Sequence, residues 1–319
     1  MNEYLWLVII GLSLLALPWA VYPLVLFFIR PQRATYSTNS QLPDWVILAA
    51  GKLAGYHRRV GFPVVESAEE AAGRILILPA GGRLTLGGIR RLLAPLTDKQ
   101  TDLVVGRLLS SEVEESGRDG GAEAAVLHAN EMTQSWRWFL GSRESRVGAP
   151  ASVEGFPVAL RPGFFRSSRA ETLALLSKDK SRVSFLHGKR GLVGRQLVED
   201  SLDPLVDKLT ASYSTGRQTL TRRWKNLGVL LRFGVASLTP LWLFMALLGA
   251  GVGLLDSGEF LYKLILVLAG GFLLGAVVGG LTLKYGYRSK VYFPFFWLIV
   301  GLAAIIRSYS RNSDAKDTP

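Results

Sequence analysis

The chain has 319 residues, 49% of them hydrophobic, and a formal net charge of +12. It contains no cysteine, which excludes a disulfide framework and a thiolate metal site, and its three histidines lie too far apart in sequence to indicate a histidine metal site. Because the basic residues are scattered and no aromatic residues alternate with them, we expect no nucleic-acid partner.

The amino-terminal segment predicts a transmembrane helix. Residues 4–29 carry no charge and exceed the roughly 20 residues that a helix needs to cross a bilayer. A cleaved signal peptide is the competing interpretation. The run is long for a signal peptide, lacks a basic segment before it and is followed directly by Arg30 and Arg33, which favours the membrane helix.

Three further apolar runs lie near the carboxyl end, at residues 235–255, 261–283 and 291–306. The first connecting loop (DSGEF, 256–260) is acidic, whereas the second (KYGYRSK, 284–290) is basic. The positive-inside rule therefore places the second loop in the cytoplasm. We expect a multi-pass protein of the inner (plasma) membrane, with the lipid bilayer as its partner and its main domain in the cytoplasm.

The composition thus divides the chain into four parts. We expect an amino-terminal transmembrane helix (1–29), a cytoplasmic domain (30–225), an interfacial helix with three transmembrane helices (226–306) and a polar tail (307–319). Residues 30–232, which include the cytoplasmic domain, hold 30 Lys and Arg against 20 Asp and Glu, an excess of ten positive charges. This excess suits a domain that lies against an anionic cytoplasmic leaflet.

Short apolar runs separated by turns predict an α/β fold for the cytoplasmic domain. Strands are expected at 45–50, 74–78, 103–109 and 182–186, a weaker one at 62–65, and helices at 88–94 and 122–141. The succession of strand, helix and strand over 74–109 indicates a βαβ unit and hence a parallel sheet. Residues 110–121 are polar and rich in glycine, which predicts a surface loop.

The stretch RILILPAGGRLTLGGIRRLL (74–93) resembles a segment of the family-2 membrane glycosyltransferases, whose general layout this chain also shares. In that family the strand ends in an Asp-x-Asp motif, which holds a divalent cation on the diphosphate of a nucleotide-sugar. Pro79 and Gly81 stand where the two aspartates belong. We therefore expect no metal and no other cofactor, with a nucleotide-sugar as the ligand that the resemblance implies.

Two further segments are similar to motifs of the same family. The sequence ALRP (159–162) resembles its A-x-R-R strand, and Arg161 stands in place of the first arginine. The sequence RQTLTRRW (217–224) resembles its Gln-x-x-Arg-Trp motif, with Arg223 and Trp224 in place. The resemblance implies acceptor binding for this pair; anchoring of an interfacial helix is the alternative.

The resemblance also implies an acidic residue that acts as the catalytic base. Glu171 fits by position, because the strand at 182–186 follows it, and Asp200 of the pair Glu199-Asp200 fits by residue type. A residue such as Glu171 more often begins a helix than acts as a base, and one such as Asp200 more often belongs to a solvated helix face. Arg83 and Arg161 are the residues that we expect to contact the nucleotide-sugar, with Arg83 as a stand-in for the metal.

The sequence therefore predicts a truncated A-type glycosyltransferase-like α/β domain with a transmembrane helical region. Three functions compete. The first is an inactive homologue that acts with other proteins of polysaccharide or glycolipid assembly. The second is an active, metal-independent membrane glycosyltransferase that uses Glu171 or Asp200 as its base. The third is a membrane adaptor whose α/β domain is unrelated to that family.

Overall fold

The computed structural model describes residues 3–30, 43–71, 73–98, 100–109, 122–147, 150–153, 155–165, 183–186, 191–196, 225–257 and a few positions between 210 and 307. The chain divides into two compact units. The sheet unit comprises Leu26–Ser116 and Glu131–Val198, and the helical unit comprises Met1–Val25, Gly117–Asn130 and Glu199–Pro319. The predicted loop at 110–121 lies outside the described residues.

The elements before the sheet unit are helical, and those within it alternate between strands and helices. In chain order they are α1 (Glu3–Ala16), a π-helical turn (Leu17–Val21), α2 (Tyr22–Phe27), β1 (Trp45–Leu48), α3 (Gly51–Arg59), β2 (Val64–Val65), β3 (Ile75–Leu78), β4 (Gly82–Leu84), α4 (Leu86–Leu93), β5 (Leu103–Val105), β6 (Arg107–Leu109), α5 (Ala122–Val147), β7 (Val158–Leu160), β8 (Val183–Phe185) and β9 (Leu192–Gln196). Short 3-10 turns at Glu69–Ala71 and Ala94–Thr97 complete this part.

The larger sheet has six strands in the order β2-β1-β3-β7-β5-β8. β7 runs antiparallel to both of its neighbours, whereas the other pairs are parallel. The α/β class and most predicted strands are confirmed, but the purely parallel sheet is wrong. β7 comes from later in the chain and separates β3 from β5, so the predicted βαβ unit has no direct contact between its two strands.

The predicted strand at 103–109 is two strands that belong to different sheets. It breaks at Gly106, whose amide donates to the carbonyl of Pro157 at 2.8 Å. A Cβ at this position would lie 2.8 Å from the side chain of Val193, so a larger residue has no room. β6 then joins β9 in a three-stranded sheet of order β4-β9-β6, in which β4 is antiparallel and β6 parallel to β9.

Alternation along the strands gives the large sheet an apolar layer on each face. One layer gathers Val46, Leu76, Val105 and Leu160 beneath Trp138 of α5. The other gathers residues of β1, β3 and β5 with the buried side of α4: Ile47, Ile75, Ile77, Val104, Ile89, Leu92 and Leu93. The helix α4 begins at Thr85, whose hydroxyl accepts from the amide of Gly88 at 3.0 Å.

In the helical unit, α1 packs closely against a second long helix. This region holds α6 (Leu227–Val229), a π-helical turn (Leu230–Val235), a 3-10 turn (Ala236–Leu238) and α7 (Thr239–Ser257). A Cβ at Gly11 would lie 2.8 Å from the carbonyl oxygen of Trp242, and one at Gly249 would lie 2.9 Å from Leu7. Glycine at both positions therefore permits the close approach of α1 and α7.

Among the described residues, no single helix is both long and apolar enough to cross a membrane. A bent pair, Leu227–Leu238 with Leu241–Asp256, meets at 51° and satisfies the length and composition criteria together. The apolar run at 4–29 is divided by the π-helical turn at Leu17–Val21, which contains Pro18. The runs at 261–283 and 291–306 lie mostly outside the described residues.

Candidate functional site

The carboxyl ends of the parallel strands meet at one edge of the large sheet, where open α/β folds bind their ligands. In the described part of the chain this edge carries Ala49–Gly51 after β1, Glu66 after β2, Pro79–Gly81 after β3, Gly106 after β5 and the buried Leu186 after β8. Apart from Glu66, these residues offer backbone groups and small or apolar side chains. The edge is therefore open to a ligand but poor in acidic groups.

The PAGG segment (79–82) forms a tight reverse turn after β3. The amide of Gly82 donates to the carbonyl of Pro79 at 3.0 Å, and both central residues have positive φ, 52° at Ala80 and 79° at Gly81. This combination is characteristic of a type I′ turn. Ala80 is the one non-glycine residue with positive φ in the described part of the chain, and this conformation costs about 1 kcal/mol or more.

The PAGG turn and its neighbours in sequence carry no carboxylate that could hold a metal. The sequence has no Asp or Glu between residues 74 and 86. Across the described residues, no group of three or more His, Asp or Glu side chains is close enough together to hold a metal ion. A divalent cation takes oxygen ligands, usually carboxylates with phosphate and water, so the turn itself supplies no such site.

Arg83 directly follows the turn on β4, and its side chain is exposed. Its guanidinium carbon is 5.0 Å from the centre of the Tyr56 ring on α3, which is cation–π distance. Across the strand pair, Arg83 is directly opposite Arg195 of β9, which is also exposed. The structure thus joins a predicted site residue to an arginine and a tyrosine that the sequence did not indicate.

His57 connects α3 to β4 beneath this surface, and its side chain is fully buried. Its Nδ1 is 2.9 Å from the carbonyl oxygen of Leu53, while the amide of Leu84 donates to its Nε2 at 3.2 Å. These contacts assign a neutral ring with the proton on Nδ1. Burial lowers the pKa of His57, although the hydrogen bond to the Leu53 carbonyl partly opposes this.

Glu66 is the acidic residue at this edge that the sequence analysis missed. Its carboxylate accepts from the guanidinium of Arg58 at 2.8 Å, with both side chains more than half exposed. The carboxylate of Glu70 caps the same loop, accepting from the hydroxyl of Ser67 at 3.0 Å. A strand of only two residues, Val64–Val65, places Glu66 here. The weak strand pattern at 62–65 was the signal in the sequence that could have identified Glu66 as a residue of this edge.

Arg161 lies at the opposite edge of the sheet, because β7 runs antiparallel. Its guanidinium donates to three backbone carbonyls, those of Thr101 (2.7 Å), Leu96 (2.6 Å) and Asp98 (2.7 Å). Its Nε is also 3.5 Å from the carboxylate of Asp102. Arg161 therefore acts as a clamp that holds the loop before β5 in place. It is not close to the PAGG turn.

The remaining predicted site residues belong mostly to segments that the structure does not describe. Glu171, Asp200 and Trp224 lie outside the described residues, so no position is assigned to either proposed catalytic base. Arg223 is described and is buried, at 5% exposure. A buried guanidinium needs polar partners, which fits a structural anchor as well as a binding role.

Arg195 and Tyr56 carried no recognisable signal in the sequence. Arg195 becomes relevant only through the pairing of β9 with β4, and a contact between strands so far apart in sequence is not visible in one chain. Tyr56 lies on the partly buried side of α3 and looks like an ordinary packing residue. His57 had been considered only as one of three scattered histidines.

Comparison with known proteins supports the fold and leaves the family open. No family model matches the sequence, and no curated protein matches it. Among solved structures, the chain is similar to a mannosyltransferase, PcManGT from Pyrobaculum calidifontis, in complex with GDP-Man and Mn²⁺. The match has a TM-score of 0.62 and 11% identity, and covers 98% of this chain and 100% of the other. At this identity the likeness establishes a fold similar to that of a glycosyltransferase.

Proposed function

We propose that the protein is a glycosyltransferase-like integral membrane protein of polysaccharide or glycolipid biosynthesis, and that it is a degenerate homologue without transfer activity. The observation that carries this proposal is the PAGG turn. It lies at the ligand-binding edge of a fold similar to that of a mannosyltransferase solved with GDP-Man and Mn²⁺, yet it holds no carboxylate. When a sugar is transferred from a nucleotide-sugar, the nucleoside-diphosphate leaving group develops negative charge, which a cation normally stabilises.

The test is turnover of a nucleotide-sugar by the purified full-length protein. We expect no release of GDP from GDP-mannose with or without Mn²⁺, and no change in this result when Glu171→Gln or Asp200→Asn is introduced. Binding of GDP without turnover would be consistent with a role as a partner in an assembly. Turnover that Glu171→Gln or Asp200→Asn abolishes, with the fold intact, would contradict the inactive form.

The second candidate is an active, metal-independent glycosyltransferase, and the arginines at the site favour it. Arg83 and Arg195 are exposed side by side near the PAGG turn and can neutralise phosphate without a metal. In this form Glu171 or Asp200 would act as the base. Turnover in the presence of EDTA, abolished by one of these two carboxylate variants, would establish it.

We propose further that the helical unit is embedded in the inner (plasma) membrane with the main domain in the cytoplasm. In support, apolar side chains on the outer surfaces of α1 and α7 are exposed, among them Trp6 (51%) and Phe244 (60%). Exposed apolar patches of this kind mark membrane or protein contacts. Partners among polysaccharide-assembly proteins remain part of this proposal.

Cysteine labelling in intact cells tests this topology without background, because the natural chain has no cysteine. A membrane-impermeant maleimide should label Ser257→Cys from outside and should fail to label Ser116→Cys until the cells are opened. Labelling of Ser116→Cys but not of Ser257→Cys from outside would show that the protein has the opposite orientation. Labelling of both positions from outside would contradict a cytoplasmic main domain.

A further inference from the structure

The exposed surface of the three-stranded sheet places two arginines side by side. Arg83 of β4 and Arg195 of β9 are direct partners in an antiparallel register. In such a pair both side chains leave the same face, and their Cβ atoms are about 5 Å apart. Both side chains are exposed, so two guanidinium groups share one stretch of accessible surface.

Like charges directly opposite each other destabilise a sheet, so a carboxylate that neutralises Arg83 would be the ordinary arrangement. Among the described residues, no carboxylate lies within ion-pair distance of Arg83. Its described contact is the ring of Tyr56, at 5.0 Å. A cation–π contact orients a guanidinium without neutralising it, so the positive charge of Arg83 remains available to an anion.

The backbone beneath this pair is rigid because glycines allow very close packing. A Cβ at Gly194 would lie 2.3 Å from the carbonyl oxygen of Arg83, and a Cβ at Gly88 would lie 1.8 Å from that of Val193. β4, β9 and the first turn of α4 are therefore fixed against one another. The backbone positions of the two arginines are set before any ligand arrives, which lowers the entropic cost of binding.

We propose that Arg83 and Arg195, with Tyr56 beneath Arg83, form a binding site for a diphosphate group that requires no divalent cation. Two guanidinium groups present planar, bidentate donors that match phosphate oxygens, and their charge balances that of the diphosphate. They replace the cation that the PAGG turn cannot hold. This inference rests on the proposed function for its position in the fold, but diphosphate recognition is tested independently of transfer.

The experiment measures binding by isothermal titration calorimetry with the full-length protein in EDTA at low salt. The probes are inorganic pyrophosphate, GDP and farnesyl diphosphate, which share the diphosphate and differ in what it is attached to. We expect wild type to bind at least one of the three, and Arg83→Gln or Arg195→Gln to weaken that binding at least tenfold. Arg90→Gln, which removes an exposed arginine from α4, is the matched control and should change the affinity less than twofold.

Three further variants examine geometry apart from charge. Arg83→Lys keeps the charge but loses the planar fork, so we expect a weakening of about threefold to tenfold. Tyr56→Phe keeps the ring and should bind as wild type does, whereas Tyr56→Ala should weaken binding. Urea unfolding of each variant checks that the exposed substitutions leave the fold intact.

The outcomes separate this inference from the proposed function. If none of the probes binds wild type in EDTA, or if binding survives both Arg83→Gln and Arg195→Gln, the arginine site is overturned. Should GDP binding survive both variants, a nucleotide pocket exists elsewhere and the proposed function still stands. If the variants abolish binding but GDP binds no tighter than pyrophosphate, the arginine site stands and the nucleotide part of the proposed function fails. Tighter binding of farnesyl diphosphate would identify a lipid-linked diphosphate as the source.

Discussion

Arg83 and Arg161 were both expected to contact a nucleotide-sugar, yet the structure gives them contrasting surroundings at opposite edges of the sheet unit. Arg161 donates to three backbone carbonyls and lies 3.5 Å from Asp102. Arg83 is exposed, lies over Tyr56 and is opposite another arginine. The number and kind of partners that a guanidinium already has decide whether it stabilises the fold or remains available to a ligand.

The largest effect is expected from breaking the packing that supports Arg83 and Arg195. Gly88→Ala would place a Cβ 1.8 Å from the carbonyl oxygen of Val193, and a backbone atom cannot move aside as a flexible side chain can. We expect a loss of about 4 kcal/mol in the free energy of unfolding, or failure to fold. Urea unfolding followed by tryptophan fluorescence measures this.

Gly87→Ala is the control for that substitution. A Cβ at Gly87 meets nothing within 4 Å, and alanine is the better helix former by about 1 kcal/mol. We expect Gly87→Ala to be neutral or slightly stabilising. Equal unfolding midpoints for the two variants would show that β9 and α4 are not in close contact.

Removing the Arg161 clamp should have the next largest effect. Arg161→Gln breaks charge-assisted hydrogen bonds to three carbonyls and leaves the largely buried carboxylate of Asp102 without this cation. Hydrogen bonds to charged groups contribute about 1.5–3 kcal/mol each and are not additive, so we expect a net loss of about 3 kcal/mol. Arg83→Gln, measured in the same urea titration, should change the stability by less than about 0.5 kcal/mol. A larger loss for Arg83→Gln than for Arg161→Gln would reverse the roles assigned here.

A smaller, pH-dependent effect is expected from His57, which lies between α3 and the strand that carries Arg83. Burial lowers its pKa from 6.5, so the folded state holds fewer protons than the unfolded state as the pH falls. Stability is therefore fully present above pH 6.5 and is lost below it, with a slope of at most about 1.4 kcal/mol per pH unit. Protonation would also remove the acceptor for the amide of Leu84.

Urea unfolding at pH 7.5 and at pH 5.5 checks the sign of this dependence. The variant His57→Asn should be less stable than wild type at pH 7.5. Because it has no titrating ring at this position, it should lose less free energy of unfolding than wild type does between pH 7.5 and pH 5.5. His128 and His187 are present in both proteins, so the difference between wild type and variant isolates His57. An identical pH dependence in the two proteins would show that His57 contributes nothing to it.

The sequence predicted those parts of the fold that depend on neighbouring residues. The run Ile75–Leu78 is buried throughout as β3, and the residues Ile89, Leu92 and Leu93 form the buried side of α4 as expected. In each case the local pattern alone determines the element, because apolar spacing sets which side is buried. The α/β class followed from the same patterns, whereas the likeness to a glycosyltransferase fold followed from the family resemblance.

What the sequence could not predict depends on pairing between distant segments. The insertion of β7 between β3 and β5 decides which edge receives Arg161, and the pairing of β4 with β9 brings Arg195 to Arg83. Neither follows from local propensity, since strand partners are chosen by the packing of the whole unit. Gly106, which divides one apolar run between two sheets, resembled an ordinary strand residue.

The smallest expected effect is that of a metal ion on ligand binding. Because the PAGG turn has no carboxylate, we expect Mn²⁺ or Mg²⁺ to change the affinity for GDP by less than about twofold relative to EDTA. Calorimetry with GDP in each buffer measures this, using the same full-length protein. A tenfold or greater gain in the affinity for GDP with Mn²⁺ would contradict the expectation that the PAGG turn holds no metal. It would also contradict the role of the arginines as a substitute for the cation.

The double variant Pro79→Asp with Gly81→Asp sharpens that test. Position 81 has a φ of 79°, a left-handed conformation that Asp adopts at a cost of about 1 kcal/mol, so the restored pair begins from a strained backbone. We expect it to gain weak Mn²⁺-dependent binding of GDP but no transfer from GDP-mannose, because two metal ligands do not restore the remaining groups that transfer needs. If this variant gained transfer activity, the two absent carboxylates would be all that the wild-type protein lacks for transfer from GDP-mannose. If it gained no metal dependence, the turn after β3 would not face the bound diphosphate, and Arg83 would have to act from a different direction.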